Sequence, residues 1–262
     1  MKISIYISAI LLVIFISSCT KVIDVKTANN TGELVIEGNI TNIIGTQTIK
    51  ISKNVALSST NTYPAVTGAT VIVTDQAGNI YPFTESPSGT YSASQLTGVA
   101  GNIYTMSVTT GGTTYTAKST MPAAVTLDSV TSKNSPIGKD KKQITVHYQD
   151  PAGVTNQYRF VMYVNNVQVK DVFADNDQFN DGKYVSLDLY ESDIDIYAGD
   201  TVKVEMQCID DPIYTYWYTL SQQNPNGPGG GVTPADPPTN ISPTTLGYFS
   251  AHSSQTITIT VK

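Results

Sequence analysis

Short runs of alternating apolar and polar residues recur along the chain, and they constrain the fold more than any other feature. Successive side chains of a β-strand point to opposite faces, so one face packs inward while the other meets solvent. In the first half, turn-forming residues separate the runs, as in Asp75-Gln76-Ala77-Gly78-Asn79. The runs cover residues 33–40, 47–52, 69–74, 80–84, 89–93, 103–109 and 114–119. Short strands at this spacing predict a β-sandwich.

The second half repeats the pattern after Met121-Pro122, where proline interrupts a hydrogen-bonded ladder and marks a boundary. Here the runs cover residues 127–132, 142–148, 158–164, 167–173, 184–189, 201–208 and 255–261. Asn165-Asn166 predicts a two-residue hairpin turn, because asparagine tolerates the positive φ that such turns require. We therefore expect an all-β chain of two tandem sandwiches over residues 32–122 and 123–262, the second of them fibronectin-III-like.

The first half also contains an ordered set of short motifs. Gly68-Ala69-Thr70-Val71 opens one strand, a turn with Asp75 and Gly78 follows, and Gly89-Thr90-Tyr91 opens a later strand. This order resembles the transthyretin-like or carboxypeptidase-regulatory-like sandwiches of extracellular proteins. Such modules usually serve as spacers, stabilisers or binding platforms, so the resemblance implies a fold and no chemistry.

One segment departs from the strand pattern. Apolar side chains at positions 213, 216, 217 and 220 have helical spacing, with Asp211 as the expected N-cap and Pro212 at the first helical position. We predict one short helix over residues 212–223. Residues 224–240 are so rich in Pro and Gly that they exclude regular structure, and they predict a long loop.

The N-terminus has the parts of a bacterial lipoprotein signal peptide. Lys2 supplies a positive charge, residues 3–16 are apolar, and small residues precede Cys19. A membrane-spanning helix needs about 20 apolar residues and a signal-peptide core roughly 7–15, so a signal peptide over residues 1–18 is favoured. Ile16-Ser17-Ser18-Cys19 resembles a lipobox, which implies cleavage before Cys19 and its lipidation with acyl chains such as palmitate. Residues 19–31 then form a lipidated polar tether that holds the protein at a membrane.

Charge and cysteine content exclude several classes of function. The formal net charge of −6 opposes attraction to nucleic acid. With Cys19 lipidated, Cys208 has no disulfide partner, and its alternating strand predicts a core position. His147 and His252 alone give no simple zinc or Cys-His site, and no P-loop, dinucleotide-binding or serine-hydrolase motif is present. We expect a protein without enzymatic activity.

An oxygen-rich loop is the first candidate for ligand binding. Residues 175–182, with Asp188 further on, offer the carboxylate and amide oxygens that Ca²⁺ prefers. We name Asp175, Asp177 and Asp181 as candidate ligands, although their spacing departs from that of an EF-hand. The alternative is a solvated loop between two strands.

An aromatic cluster is the second candidate. Tyr214, Tyr216, Trp217 and Tyr218 offer ring faces on which a sugar or a peptide can stack. At helical spacing, however, Trp217 points inward, so the alternative is that the cluster plugs the core of its own domain.

Several landmarks occur in a characteristic order along the whole mature chain. They are Cys19, Leu34-Val35-Ile36-Glu37-Gly38-Asn39-Ile40, Gly68-Ala69-Thr70-Val71, Gly89-Thr90-Tyr91, Tyr115-Thr116-Ala117, Leu127-Asp128-Ser129-Val130, Tyr214-Thr215-Tyr216-Trp217 and Leu246-Gly247-Tyr248-Phe249-Ser250-Ala251. Together they resemble a family of Bacteroidota outer-membrane lipoproteins, domain of unknown function 4249. The last landmark, just before a final strand, is the most characteristic.

The resemblance implies an envelope protein associated with TonB-dependent receptors of the outer membrane. It leaves open the periplasmic face or the cell surface. We expect a non-enzymatic binding or accessory subunit. The alternative is a carbohydrate-active or other hydrolase that uses the loop carboxylates Asp175, Asp177 or Asp181.

Overall fold

The computed structural model describes residues 31–56, 59, 62–223 and 236–262, in which sixteen strands and one helix occur. The predicted signal peptide, Cys19 and most of the tether and the Pro/Gly-rich loop lie outside these residues. The strands of the first half are β1 (Leu34–Thr41), β2 (Gln47–Lys53), β3 (Thr70–Asp75), β4 (Ile80–Glu85), β5 (Thr90–Ala93), β6 (Ile103–Thr110) and β7 (Thr113–Thr120). The second half contains β8 (Leu127–Asn134), β9 (Lys142–Gln149), β10 (Gln157–Val164), β11 (Val167–Gln168), β12 (Phe173–Asn176), β13 (Tyr184–Leu189), β14 (Thr201–Ile209), α1 (Asp211–Ser221), β15 (Ile241–Ser242) and β16 (Leu246–Thr260).

The first core lies between two layers of strands from the N-terminal half. Strands β1, β2, β5 and β4 pair in this order, β4 continues to β3, and β3, β6 and β7 complete the opposite layer. Ile36 and Ile49 pack with Val73, Met106 and Val108. The inward residues alternate with more exposed ones along each strand, which is the pattern that the sequence predicts.

The second core lies between a three-stranded sheet and part of the large sheet. Strands β13, β9 and β8 form the small sheet, and β10, β14 and the second half of β16 lie opposite. Val146 and Tyr148 from one side pack with Phe160, Val204 and Met206 from the other. Two short strands, β11 and β12, extend the large sheet by pairing with β10.

Strand β16 belongs to both halves. Its first part, Leu246 to His252, runs parallel to β1, and its second part, Ser253 to Thr260, pairs with β14. The large sheet therefore runs without a break in the order β11-β10-β14-β16-β1-β2-β5-β4-β3-β6-β7-β15. Residues Thr31–Lys262 form one compact unit with two main hydrophobic cores. The domain bounds 32–122 and 123–262 stay a prediction.

The helix α1 packs on the face of the large sheet that is turned away from the second core. Ile213 and Trp217 are buried there with Ile209 and Tyr248. The helix lies where the sequence predicts it. No helix among the described residues is long and apolar enough to span a membrane.

The prediction that Asp211 caps the helix is wrong, because the N-cap is Asp210. The Asp210 carboxylate does not bond to the helix; it accepts hydrogen bonds from Ser119 Oγ and the Thr120 backbone, both at 2.9 Å. The reason is packing, since Asp210 follows directly on β14 and its side chain reaches β7. Asp210 therefore attaches the start of the helix to the first half of the chain.

The all-β class and the two-layer packing are confirmed, and Asn165 and Asn166 form the predicted turn with φ of 49° and 67°. The predicted strand over residues 167–173 is wrong, because β11 ends at Gln168 and β12 begins at Phe173. Between them, Lys170 N and Asp171 Oδ2 bond to the loop around Asp193 and not to a neighbouring strand.

Candidate functional site

A polar cavity of about 420 Å³ opens on the face of the large sheet that is turned away from both cores. Its floor is made by the neighbouring strands β10, β14, β16, β1 and β2, so it extends across strands that serve different cores. The alternation of β-strands explains its polarity, because Glu37 and Asn39 face the cavity while Ile36 and Ile40 face the first core. The same alternation turns Arg159 outward between two core residues of β10.

The only arginine of the chain and its only tryptophan meet in this cavity. The Arg159 guanidinium carbon lies 3.5 Å from the centre of the Trp217 ring, which is stacking distance for a cation on an aromatic face. Arg159 Nη1 donates a hydrogen bond to Gln207 Oε1 at 3.2 Å. The guanidinium is therefore held by a ring and an amide, both neutral.

Among the residues that the structure describes, no carboxylate forms an ion pair with Arg159. The three ion pairs found there all involve lysines that lie elsewhere. Burial lowers the pKa of Arg159, yet an arginine keeps its charge at neutral pH. A guanidinium offers five N–H donors in a planar fork, which suits carboxylate or phosphate oxygens. Arg159 is thus a half-buried cation without a direct ion pair among the described residues, and Glu205 on the neighbouring strand attracts it from beyond ion-pair distance.

Acidic groups lie on the same floor. Glu205 Oε1 accepts hydrogen bonds from Ser254 Oγ at 2.7 Å and from Gln207 Nε2 at 2.9 Å, so neutral donors hold it in place. Glu37 lies on β1, opposite Lys50 of β2. A ligand in this cavity meets cationic groups on β10 and β2 and acidic groups on β14 and β1.

His252 of β16 lines the cavity and is buried. Its Nδ1 lies 2.9 Å from Ser250 Oγ, within hydrogen-bonding distance. Burial lowers the pKa of His252 to about 4, which the nearby Glu205 opposes and Arg159 reinforces. The imidazole is therefore neutral at physiological pH and offers a hydrogen bond without a charge.

The four predicted aromatic residues do not form one platform. Only Trp217 lines the cavity, with Tyr248 of β16 beside it at a ring-centroid distance of 5.0 Å. Tyr216 packs against both rings, at 5.1 Å from each. Tyr214 stacks on Tyr218 at 5.5 Å, on a separate part of the helix.

The predicted calcium ligands are only partly brought together. One oxygen each of Asp177, Asp181 and Asp150 lie within 4.8 Å of one another. Asp175 lies apart from them, within hydrogen-bonding distance of the Tyr148 hydroxyl. Asp188 lies on β13, where it accepts hydrogen bonds from Lys133 and Thr145, each at 2.6 Å.

Asp175 lines a different cavity, of about 390 Å³, together with Glu191. Burial raises the pKa of both carboxyl groups above their ordinary values. Cys208 is buried in the second core, as predicted, and its Sγ accepts a hydrogen bond from Val125 N at 3.3 Å. Burial raises the pKa of this thiol and so opposes thiolate reactivity.

Sequence reasoning overlooked Arg159, Glu205 and His252 as cavity residues. One signal was available, because Arg159 is the single arginine of a chain whose other basic residues are lysines. Arginine and lysine are not interchangeable where a planar, stacked cation is needed. The neighbours of Arg159 come from strands far apart in sequence, so no spacing points to them.

The fold and the site define an all-β protein with a polar cavity on a sheet that two hydrophobic cores share. The chain matches the model of the family described as Domain of unknown function (DUF4249) over residues 20–258, and it belongs to this family. The predicted membership of domain of unknown function 4249 is thereby confirmed. No curated protein matches the chain.

Two solved structures illustrate its distant neighbours. A two-domain fibronectin type III segment of chicken tenascin is 13% identical to this chain, with a TM-score of 0.22. The match covers 69% of this chain and 91% of the tenascin segment. The adhesin InvE of Yersinia pseudotuberculosis is 19% identical to this chain, with a TM-score of 0.20. The match covers 67% of this chain and 55% of the adhesin chain. Nothing about function follows from either.

Proposed function

We propose that the protein is a non-enzymatic binding lipoprotein of the cell envelope, whose cavity holds a small polar ligand with an anionic group. The observation that carries this proposal is the Arg159 guanidinium, which stacks on Trp217 in the cavity and has no carboxylate within ion-pair distance among the described residues. Keeping a cation partly out of water costs free energy unless an anion offsets it. A ligand carboxylate supplies that anion in the geometry that arginine favours.

The cavity also indicates the rest of the ligand. Its volume of about 420 Å³ suits a compact molecule such as a sugar acid or a peptide end. Glu205 and Glu37 favour hydroxyl or ammonium donors on the ligand, and Trp217 offers an apolar ring face. A ligand with both donors and a carboxylate fits these groups best.

Trp217 makes this proposal directly testable, because all tryptophan fluorescence of the chain comes from the ring on Arg159. Probes are oligogalacturonate, N-acetylneuraminate and a set of tripeptides, each paired with a neutral counterpart such as galactose or an amidated peptide. We expect a saturable change with at least one anionic probe and none with its counterpart. Arg159→Gln should weaken that binding at least about tenfold, since it removes a charge-assisted hydrogen bond.

The matched control is Lys133→Met, which removes one positive charge from an exposed ion pair on β8. It should leave the probe affinity within about twofold. The proposal fails if no anionic probe changes the fluorescence, or if Arg159→Gln and Lys133→Met behave alike while both stay folded by circular dichroism.

The envelope location rests on the lipobox-like Ile16-Ser17-Ser18-Cys19. Cys19→Ser should release the protein from the outer-membrane fraction of a Bacteroidota host and remove the acyl mass from the intact chain. Cys208→Ser changes the other cysteine, which is buried in the second core, and should leave both properties unchanged. Membrane retention of Cys19→Ser would contradict the proposed anchor.

The proposed partner is a TonB-dependent receptor, which the family resemblance supports by analogy. Chemical cross-linking in native outer membranes, followed by purification of the tagged lipoprotein, should recover one such receptor in near-equal amount. Recovery of the lipoprotein alone would favour a stand-alone binder.

A hydrolase remains the second candidate, and one observation favours it. Asp175 and Glu191 line one cavity, and burial raises the pKa of both carboxyl groups, as in a general acid. Glycoside hydrolysis uses two carboxyl groups on either side of the bond. Turnover of chromogenic glycosides that disappears in both Asp175→Asn and Glu191→Gln would establish this alternative and overturn our proposal.

A further inference from the structure

Three carboxylates converge at one end of the second core, outside the cavity on the sheet. Asp150 follows β9, and Asp177 and Asp181 follow β12, yet one oxygen from each lies within 4.8 Å of the others. Asp150 is 1% exposed and Asp177 is 7% exposed. Carboxylates this close repel one another, and their burial intensifies the repulsion because the protein interior screens charge poorly.

No lysine or arginine among the described residues neutralises this group. The three ion pairs found there lie elsewhere, and Lys183, the nearest basic residue in sequence, donates its ammonium to the Phe179 carbonyl instead. The carboxylates accept hydrogen bonds from the Tyr158 hydroxyl and from backbone N–H groups of Gly182, Asn156 and Gly153. These donors fix the positions of the oxygens but supply no full positive charge.

Asn156 gives an independent indication of a ligand. The residue is 6% exposed, and its Oδ1 is a buried acceptor without a hydrogen-bond partner. Asn156 and Asp177 stand opposite each other one step beyond the paired residues Gln157 and Asn176, and Asp177 N donates to Asn156 O. Asn156 N also donates a hydrogen bond to Asp177 Oδ2 at 2.7 Å, so the residue that carries this unpartnered acceptor is in direct contact with the carboxylate cluster.

We propose that Asp150, Asp177, Asp181 and Asn156 bind one Ca²⁺ ion. All the donors are oxygens, three from carboxylates and one from an amide, which is the set that Ca²⁺ takes, whereas zinc and copper prefer nitrogen or sulfur. The ion neutralises the converging charges and gives Asn156 Oδ1 its partner. It is held by irregular loops that adapt to the long, variable Ca²⁺–oxygen distances, which favours Ca²⁺ over Mg²⁺.

The position of the site gives the ion a structural role. The chain crosses from the small sheet to the large sheet between β9 and β10, and it crosses back between β12 and β13. Asp150 and Asn156 lie in the first crossover, and Asp177 and Asp181 lie in the second. One ion therefore ties both crossovers together at the same end of the sandwich.

The test uses the full mature chain, freed of metal with EGTA and then titrated with CaCl₂ alone. Millimolar Ca²⁺ should raise Tm by about 3–6 °C over EGTA at equal ionic strength, if the free ion exceeds its Kd tenfold or more. Asp177→Asn and Asp181→Asn should each abolish the shift. Tb³⁺, which replaces Ca²⁺ and is sensitised by nearby tyrosine, should luminesce through Tyr158, and excess Ca²⁺ should displace it.

Asp175→Asn is the matched control, because Asp175 belongs to the same stretch of sequence but lies outside the cluster. It should retain the calcium-dependent shift whatever its own Tm. Asn156→Asp should bind Ca²⁺ at lower concentration and melt at lower temperature in EGTA, since it adds a fourth negative charge. The site is excluded if Ca²⁺ leaves the wild-type Tm unchanged, if Mg²⁺ gives an equal shift, or if the shift survives in Asp181→Asn.

Discussion

His252 gives the stability of this protein a defined dependence on pH. Its pKa is lowered by burial to about 4 in the folded chain, whereas an exposed histidine titrates near 6.5. Between these values the unfolded chain binds a proton that the folded chain does not bind. The contribution of His252 is therefore fully present above pH 6.5 and is lost as the pH falls towards 4.

We expect the free energy of unfolding of His252→Asn to fall less between pH 7 and pH 4.5 than that of the wild type, by up to about 3 kcal/mol. Urea unfolding at both pH values measures the difference. His147→Asn serves as control, because His147 is on β9 and bonds to Thr131 and Ser186 at a more open site. Equal pH dependence in the wild type and His252→Asn would show that another titrating group causes the loss of stability at low pH.

Gly247 is required by the close approach of β16 to β1. Its φ is +99°, and an added Cβ would overlap the carbonyl of Ile36. We expect Gly247→Ala to lower the free energy of unfolding by more than about 2 kcal/mol. Gly101→Ala is the control, since Gly101 has a similar φ of +84° but open space around it, and about 1 kcal/mol is expected there. Equal losses in denaturant unfolding would show that φ alone matters.

The carboxylate cluster shows how far the sequence alone predicts which residues form a site. Asp177 and Asp181 could be named because they lie in one polar loop, whereas Asp150 joins them only when two crossovers meet at the same end of the sandwich. Asp175 was named with them, but β12 continues to Asn176 and holds it in the ladder opposite Tyr158. Local composition predicts the chemistry of a loop, and strand register decides which side chains meet.

Among the elements, α1 depends on its connection to β7. Asp210 links the two by accepting a part-buried hydrogen bond from Ser119 Oγ and an exposed one from Thr120 N. We expect Asp210→Ala to lower stability by about 2 kcal/mol, because it leaves both donors without their acceptor. Asp211→Ala changes the exposed neighbour in the first helical turn and should cost less than about 0.5 kcal/mol. Thermal unfolding followed at 222 nm distinguishes the two, and equal effects would mean that the link contributes nothing.

Strand β16 shows why one element was predicted only in part. The sequence indicates a strand over residues 255–261, where apolar and polar residues alternate, but the structure extends it back to Leu246. Ser250, His252, Ser253 and Ser254 give no alternation, yet all are buried. One face of this part packs on the first core through Phe249 and Ala251, and the other face forms part of the cavity floor, where His252 lies. A strand whose residues are buried on both sides has no exposed polar face, and a period of two is then absent from its sequence.

At the scale of the whole molecule, the shared strand predicts a single unfolding transition for both cores. Phe249→Ala empties part of the first core and Val204→Ala part of the second, and both residues are fully buried. Each should lower one common Tm in calorimetry, by several degrees, without splitting the peak. Two transitions, each moved by only one of the substitutions, would instead support independent domains at residues 32–122 and 123–262.

The parallel pairing of β1 with β16 also affects how the chain is made. A ribosome releases Leu34–Thr41 about 200 residues before Leu246–His252, so β1 has one unpaired edge throughout the intervening synthesis. The first core likewise lacks Phe249 and Ala251 until β16 has been made. Until Leu246–His252 are in place, the incomplete chain therefore has a strand edge open to pairing with other chains, which makes it prone to aggregation.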